Sequence, residues 1–319
     1  MGPNIDMNDT AEKEKKFLAC IDNVYHQRRS YYRGVQILKD GRIICYDYLQ
    51  KEIKIYKYID KKFMFDFEFK IEDENGSATC LCEVEENIII IGSYMKLFLF
   101  DIRNNEAKLL QKLEYDYMNH FVQIIKLSNG LIVGIILNAI IFYKFDEENK
   151  KLEKKDEIET IRNIEKIYEA KNGNIITFVS NKIIAYGRDK SIQFKIDNSN
   201  FYHHYEVIDD KYILISYINK QFGGGKSFVD VYDIKKLISM QTFETKYQLD
   251  EFIKLNDTLI VASDCFGNIH ELNIEENDKL SVKDIFRAHD CPISKKVKYD
   301  NNKILSISHD GKIKLWEFN

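Results

Sequence analysis

The chain has 319 residues, of which 45% are hydrophobic and 13% aromatic, so it has enough apolar surface for a large core and global disorder is excluded. Charged residues make up 31% of the chain, yet the formal net charge is only −4. A nucleic-acid-binding protein would show a basic excess or a basic stripe, and we therefore expect no nucleic-acid partner.

The first 15 residues are polar and carry no apolar stretch of the kind found in secretory signals, so we expect a flexible N-terminal tail. The longest apolar run, residues 131–143, is shorter than the ~20 residues that a membrane-spanning helix needs. These features predict an intracellular, cytoplasmic protein with no integral membrane association.

A short apolar segment recurs along the chain, and its fourth position is aromatic in six of seven copies. The copies are separated by 44, 43, 43, 46, 40 and 44 residues. The fourth positions are Tyr56, Phe100, Tyr143, Tyr186, Tyr232, Leu272 and Trp316. Self-similarity at a fixed period of this length indicates a repeat architecture.

A second pattern precedes each of these segments by roughly a dozen residues: a polar turn followed by a short β-branched run. It occurs at residues 39–44, 85–90, 128–133, 171–176, 209–214, 256–261 and 301–306. The turns suit hairpins, and the continuous apolar runs suit strands covered on both faces. The period predicts an all-β, seven-bladed β-propeller of four-stranded antiparallel blades, spanning residues 16–319 as one domain.

The last repeat has three strands, because the chain ends directly after the segment that contains Trp316. An open sheet edge at this point would invite aggregation. Residues 16–25 precede the first full repeat and have strand character, so we expect an N-terminal strand to complete the last blade and close the ring.

The last repeat, residues 288–318, resembles the WD-repeat (WD40) family. His289, Ser306 or Ser308, Asp310 and Trp316 stand where the family pattern has His, Ser, Asp and Trp. The resemblance implies a buried hydrogen-bonded relay among these four residues, and a ring that acts as a monomer within a larger complex. The other repeats keep the period but not the full set.

Sites of catalysis, cofactor binding and metal binding are not predicted. Cys80 and Cys82 have no second pair or nearby His to complete a zinc site, and as alternate strand residues they favour buried free thiols. Residues 222–227 are similar to a phosphate loop, but Lys220 replaces its first glycine, which favours a hairpin loop. We therefore expect a protein that is not an enzyme.

The inter-blade loops are the best candidates for binding other proteins or peptides, because they carry Tyr and Arg, which interfaces use as hot spots. The candidate residues are Arg28, Arg29, Tyr31, Tyr32, Tyr117, His120, Tyr202, His203 and Tyr247. Adjacent His203 and His204 would point in opposite directions and are interpreted as loop residues. The sequence predicts a non-catalytic protein-binding scaffold that uses this loop face.

Two narrower hypotheses stay open. Residues 88–103 resemble the segment by which some WD-repeat proteins join cullin-RING ubiquitin ligases as substrate receptors, with Arg103 kept but Met95 and Phe100 substituted. Residues 31–34 are similar to the Arg-Arg loop of phosphoinositide-binding propellers, although Arg28 and Arg29 are separated from them.

Overall fold

A computed structural model describes residues 16–22, 32–47, 51–72, 78–115, 121–136, 139–159, 164–179, 182–186, 192–197, 202–219, 226–236 and 238–318. Within these ranges, 28 strands form seven four-stranded antiparallel sheets. The strands are β1 (Lys16–Asp22), β2 (Tyr32–Ile37), β3 (Ile43–Asp47), β4 (Glu52–Ile59), β5 (Lys62–Lys70), β6 (Cys80–Glu85), β7 (Ile88–Gly92), β8 (Lys96–Asp101), β9 (Lys108–Glu114), β10 (Phe121–Lys126), β11 (Ile132–Ile136), β12 (Ala139–Asp146), β13 (Lys151–Glu159), β14 (Lys166–Glu169), β15 (Ile175–Val179), β16 (Lys182–Tyr186), β17 (Ile192–Asp197), β18 (Tyr202–Ile208), β19 (Tyr212–Asn219), β20 (Lys226–Asp233), β21 (Ile238–Thr245), β22 (Leu249–Lys254), β23 (Leu259–Asp264), β24 (Asn268–Ile274), β25 (Leu280–Arg287), β26 (Ile293–Lys298), β27 (Lys303–Ser308) and β28 (Lys312–Glu317).

Each of the first six blades is a meander of four consecutive strands, from β2–β5 in blade 1 to β22–β25 in blade 6. Blade 7 consists of β26–β28 and takes its fourth strand from β1, which places Phe17 opposite Trp316. The predicted seven-bladed propeller, closed by an N-terminal strand, is confirmed. The predicted tail, residues 1–15, lies outside the described residues.

Seven apolar clusters fill the spaces between neighbouring blades, and each cluster draws its residues from two adjacent blades. The cluster between blades 2 and 3 includes Ile90, Phe121 and the fully buried Tyr143. The cluster between blades 7 and 1 packs Leu305 against Ile43. The sheets therefore form a closed ring whose core lies at the blade interfaces.

The repeated position of the third strands coincides with a break in the pairing between the third and fourth strands. In blades 1–6 the register shifts directly beside Tyr56, Phe100, Tyr143, Tyr186, Tyr232 and Leu272. An extra residue in one strand bends it and increases the local twist. The aromatic period of the sequence therefore marks the point at which each outer strand turns relative to the inner sheet.

Burial falls from the inner strands to the outer ones. Strands β7 and β11 are buried throughout, whereas most residues of β13 are exposed. The described part of the chain contains no helix that is long and apolar enough to cross a membrane.

Candidate functional site

The first strands of all seven blades line a central cavity of about 760 Å³, which is the channel of the ring. Each first strand follows an inter-blade connection, so its first residues lie at the channel mouth on the inter-blade loop face. At this end the wall from blades 2 and 3 is neutral and includes Thr79, Leu81, Val122 and Gln123.

The wall from blades 4–7 is charged, and its side chains pair across blade boundaries. The pairs are Lys166–Glu206 at 2.5 Å, His204–Asp250 at 2.8 Å and Lys295–Glu251 at 2.5 Å. They join blades 4 and 5, 5 and 6, and 6 and 7, respectively. The half of the channel mouth formed by blades 4–7 is therefore charged, whereas the wall from blades 2 and 3 is neutral at this end.

Glu251 lies at a bulge in β22 and has a positive φ of 47°. Its carboxylate accepts a hydrogen bond from the backbone N–H of Lys296 at 2.9 Å and faces the Lys295 ammonium group. Burial raises the pKa of Glu251, but the charges of Lys295 and Lys296 outweigh this effect and hold the pKa at about 2. The ionised carboxylate therefore stabilises an uncommon backbone conformation at the channel wall.

Lys296 is almost fully buried behind Glu251. Its Nζ donates to the Ser263 hydroxyl at 2.5 Å and to the backbone carbonyl of Asp250 at 3.3 Å. Burial lowers the pKa of Lys296 to about 8, although the charge of Glu251 opposes the shift. These contacts connect the first strand of blade 7 to the first two strands of blade 6.

Bulges interrupt the first strands near the channel mouth in five blades, at β2, β10, β18, β22 and β26. In β18 the extra residue is His203, between the paired Tyr202 and His204. The expectation that Tyr202 and His203 are loop residues is wrong, because Tyr202 already pairs with Tyr217 of the second strand. Tyr32 likewise begins strand β2.

Tyr247 lies in the connection between β21 and β22, as predicted for an inter-blade loop residue. The centroids of the Tyr247 and Phe266 rings are 4.8 Å apart, and the Lys246 ammonium group is 5.1 Å from the Tyr247 ring centroid. Phe266 is 50% exposed and lies in the turn between β23 and β24. Five further candidates, Arg28, Arg29, Tyr31, Tyr117 and His120, lie outside the described residues.

A buried hydrogen bond fixes the turn that carries Phe266. The Asp264 carboxylate contacts His270 Nε2 at 2.8 Å and accepts the backbone N–H groups of Phe266 at 2.8 Å and Asn268 at 3.1 Å. Burial raises the pKa of Asp264, but hydrogen bonds from His270 and Asn268 outweigh it and lower the pKa. Phe266 is not among the binding residues predicted from the sequence, although a large aromatic residue in a hairpin turn was an available signal.

The four residues with the family pattern lie in one chain of hydrogen bonds in blade 7. Trp316 Nε1 donates to the Ser306 hydroxyl at 2.9 Å, which lies 2.8 Å from His289 Nε2, and His289 Nδ1 is 3.0 Å from Asp310. Because the Asp310 carboxylate only accepts, we assign Nδ1–H as the donor to it, so that Nε2 of the neutral ring accepts from the Ser306 hydroxyl. Ser308 instead donates to the Pro292 carbonyl at 2.8 Å.

This direction of donation agrees with the charges of the pair. Burial lowers the pKa of His289, which keeps the ring neutral, although the Asp310 charge opposes the shift. Burial raises the pKa of Asp310, but the hydrogen bond from His289 outweighs it and holds the pKa at about 2. All four side chains are buried or nearly buried, so the relay has no free group directed at solvent.

Cys80 and Cys82 are buried thiols on β6, and both are free. Burial raises their pKa values to about 12 and about 11, so neither is a ready nucleophile. Among the residues that the structure describes, His, Cys, Asp and Glu form no group suited to hold a metal ion.

Comparison with known proteins supports the fold. A family model described as the CPSF A subunit region matches residues 12–166. No curated protein matches the sequence. The WD40 β-propeller domain of Doa1 is 11% identical with a TM-score of 0.71, covering 96% of this chain and 97% of that one. A chain of the mitotic checkpoint complex is 9% identical with a TM-score of 0.74, covering 100% and 98%. The chain therefore has a divergent WD40-type β-propeller fold.

Proposed function

We propose that this divergent WD40-type propeller is a non-catalytic protein-binding scaffold that holds its partner on the inter-blade loop face. The observation that carries the proposal is the pair of Tyr247 and Phe266. Half of the Phe266 surface is in solvent, on a turn fixed from beneath by the buried Asp264. Aromatic groups on rigid supports are the usual anchors of protein interfaces.

The channel mouth supports binding rather than catalysis. Ser263 and Lys296 have the geometry of a nucleophile beside a base, with Nζ 2.5 Å from Oγ. Both are almost completely buried, at 1% and 2% exposure, so a substrate has no access to either. Their contacts join two blades, which is a structural role.

The comparisons also favour an interaction role. One similar solved structure belongs to the mitotic checkpoint complex, which is an assembly by its title, and the matching family model is named for a subunit region. We propose proteins or peptides as partners and a monomeric ring within a larger intracellular complex. The binding surface would also include the predicted loop residues Arg28, Arg29, Tyr31, Tyr117 and His120.

The test is a pull-down of endogenous partners with wild type and with a Tyr247→Ala, Phe266→Ala double variant. Phe65→Ala is the matched control, because Phe65 is a 56% exposed aromatic residue on an outer strand. We expect the double variant to lose its partners and the control to retain them, with unchanged thermal unfolding midpoints. If the folded double variant retained every partner, the binding surface would lie elsewhere on the ring.

Neither narrower hypothesis gains a supporting observation. The Arg103 side chain pairs with Asp101 of its own blade, so its presence at this position has a structural explanation without a ligase partner. Arg28 and Arg29, which a phosphoinositide site would need, lie outside the described residues.

A further inference from the structure

We propose that the inter-blade loop face at blade 6 receives a basic side chain, lysine or arginine, from the partner. The receptor consists of the Asp250 carboxylate and the aromatic pair of Tyr247 and Phe266. This inference rests on the proposed scaffold function, because it names the chemistry that the inter-blade loop face recognises.

Asp250 differs from two other carboxylates of the charged half. Glu206 and Glu251 each face a lysine ammonium group at 2.5 Å. Among the described residues, the basic side chain within 4 Å of the Asp250 carboxylate is His204, at 2.8 Å, and histidine is charged only when protonated. The carboxylate of Asp250 therefore carries a negative charge that no permanently charged group within this distance cancels.

Lys296 does not form a salt bridge with the Asp250 carboxylate. Its ammonium group bonds the backbone carbonyl of Asp250, and its salt-bridge partner is the Glu251 carboxylate at 3.8 Å. The Asp250 side chain keeps 23% of its surface exposed, so a cation from outside has access to it.

The aromatic pair provides the second half of the receptor. The ammonium group of Lys246 already lies 5.1 Å from the Tyr247 centroid, within the ~6 Å over which a ring attracts a cation. Because Lys246 is exposed, a cation from the partner can displace its ammonium group from the ring. Phe266 adds an apolar surface against which the methylene groups of a long basic side chain pack.

The spacing suits one long side chain. Tyr247 and Asp250 are three residues apart, and an extended chain spans at most ~10 Å over that distance. A lysine or arginine whose stem lies over the rings places its charged head toward the carboxylate. At the channel mouth, the wall from blades 2 and 3 includes Val122 and Gln123 and offers no anion to compete for that head.

The test uses immobilised nonapeptide pools with a fixed central lysine, arginine, glutamate or norleucine and randomised flanks. The proteins are wild type, Asp250→Asn, Phe266→Leu and the control Asp257→Asn, in which the altered residue is exposed in the β22–β23 turn on the opposite face. We expect wild type and control to prefer the basic pools ~10-fold, and both site variants to lose most of this preference.

An unchanged preference in folded Asp250→Asn would overturn the inference. So would wild-type binding of the glutamate and norleucine pools that equals its binding of the basic pools. Phe266→Leu replaces a half-exposed side chain and gives the same answer if Asp250→Asn does not fold. The two proposals fail separately. Suppose that the Tyr247, Phe266 double variant loses its cellular partners but wild type shows no preference for the basic pools. That result would reject the basic side chain as ligand and still support the scaffold function.

Discussion

At the scale of single residues, the loop face depends on one glycine. Gly267 has a φ of +88°, and a Cβ there would lie 2.4 Å from the Cys291 carbonyl oxygen and 2.6 Å from that of His289. The connection between blades 6 and 7 therefore rests directly on the turn that presents Phe266. Gly41 has a similar φ of +85° in the β2–β3 turn but no atom within 4 Å of its Cβ position.

The two glycines separate backbone strain from steric overlap. Gly41→Ala should cost ~1–2 kcal/mol, the usual penalty of a left-handed residue with a side chain. Gly267→Ala adds a clash with two backbone carbonyls and should cost ~1–3 kcal/mol more. Urea unfolding of both variants measures the difference. If the two variants lost the same free energy of unfolding, the connection between blades 6 and 7 would be able to shift away from the new Cβ at no energetic cost.

The buried relay around His289 should make the stability of the fold depend on pH. The pKa of His289 is lowered in the folded state, so the unfolded chain binds the proton first and stability falls as the pH drops through ~6.5. The lowered pKa of Asp310, about 2, leaves its own contribution intact until the pH falls below ~4. Within the relay, the histidine therefore accounts for the change in the mildly acidic range.

His289→Ala tests this role. The substitution leaves Ser306 and Asp310 without their buried partner and should cost ~1–3 kcal/mol at neutral pH. The variant should also lose part of the stability change between pH ~8 and ~5.5 that wild type shows. Fluorescence of Trp316, the chain's one tryptophan, reports both quantities in urea titrations. Lost partner binding at unchanged stability would instead assign His289 to the binding surface.

At the scale of strands, position within the blade decides the energetic weight of a side chain. Leu99 on the third strand of blade 2 is 1% exposed, whereas Leu109 on the adjacent fourth strand is 48% exposed. Leu99→Ala should cost ~2–5 kcal/mol by leaving a cavity between blades 2 and 3. Leu109→Ala should stay within ~0.5 kcal/mol. If both variants lost a similar amount of unfolding free energy, the core would not be concentrated in the inner strands.

The same gradient explains what the sequence could reveal. Second and third strands, such as Ile88–Gly92 and Lys96–Asp101, are buried and joined by tight turns, so apolar runs and turn residues located them correctly. First strands line a polar channel, which hid the strand at Tyr202 and His203. The basis of the candidate receptor, the packing of Tyr247 against Phe266 of a different loop, is a tertiary contact that no local pattern encodes.

At the scale of the ring, closure depends on β1, a strand of seven residues. Strand β1 pairs with β28 from Lys16 opposite Glu317 to Asp22 opposite Lys312. It also lies against β5 of blade 1, so it covers the sheet edge at the joint between the two ends of the chain. Without β1, the backbone groups of β28 are a free edge that pairs with other molecules.

Two truncations separate the strand from the residues before it. Removal of residues 1–15 should leave the urea midpoint and the monomeric state unchanged, since the pairs of β1 begin at Lys16. Removal of residues 1–25 should lower the midpoint and produce oligomers in size-exclusion chromatography with light scattering, because the joint between blades 7 and 1 is then held by side-chain packing alone. Addition of a synthetic peptide of residues 16–25 should restore the monomer, because the open edge of β28 is the complement of that strand. A monomeric 26–319 fragment with the wild-type midpoint would show that the inter-blade clusters close the ring without a shared strand.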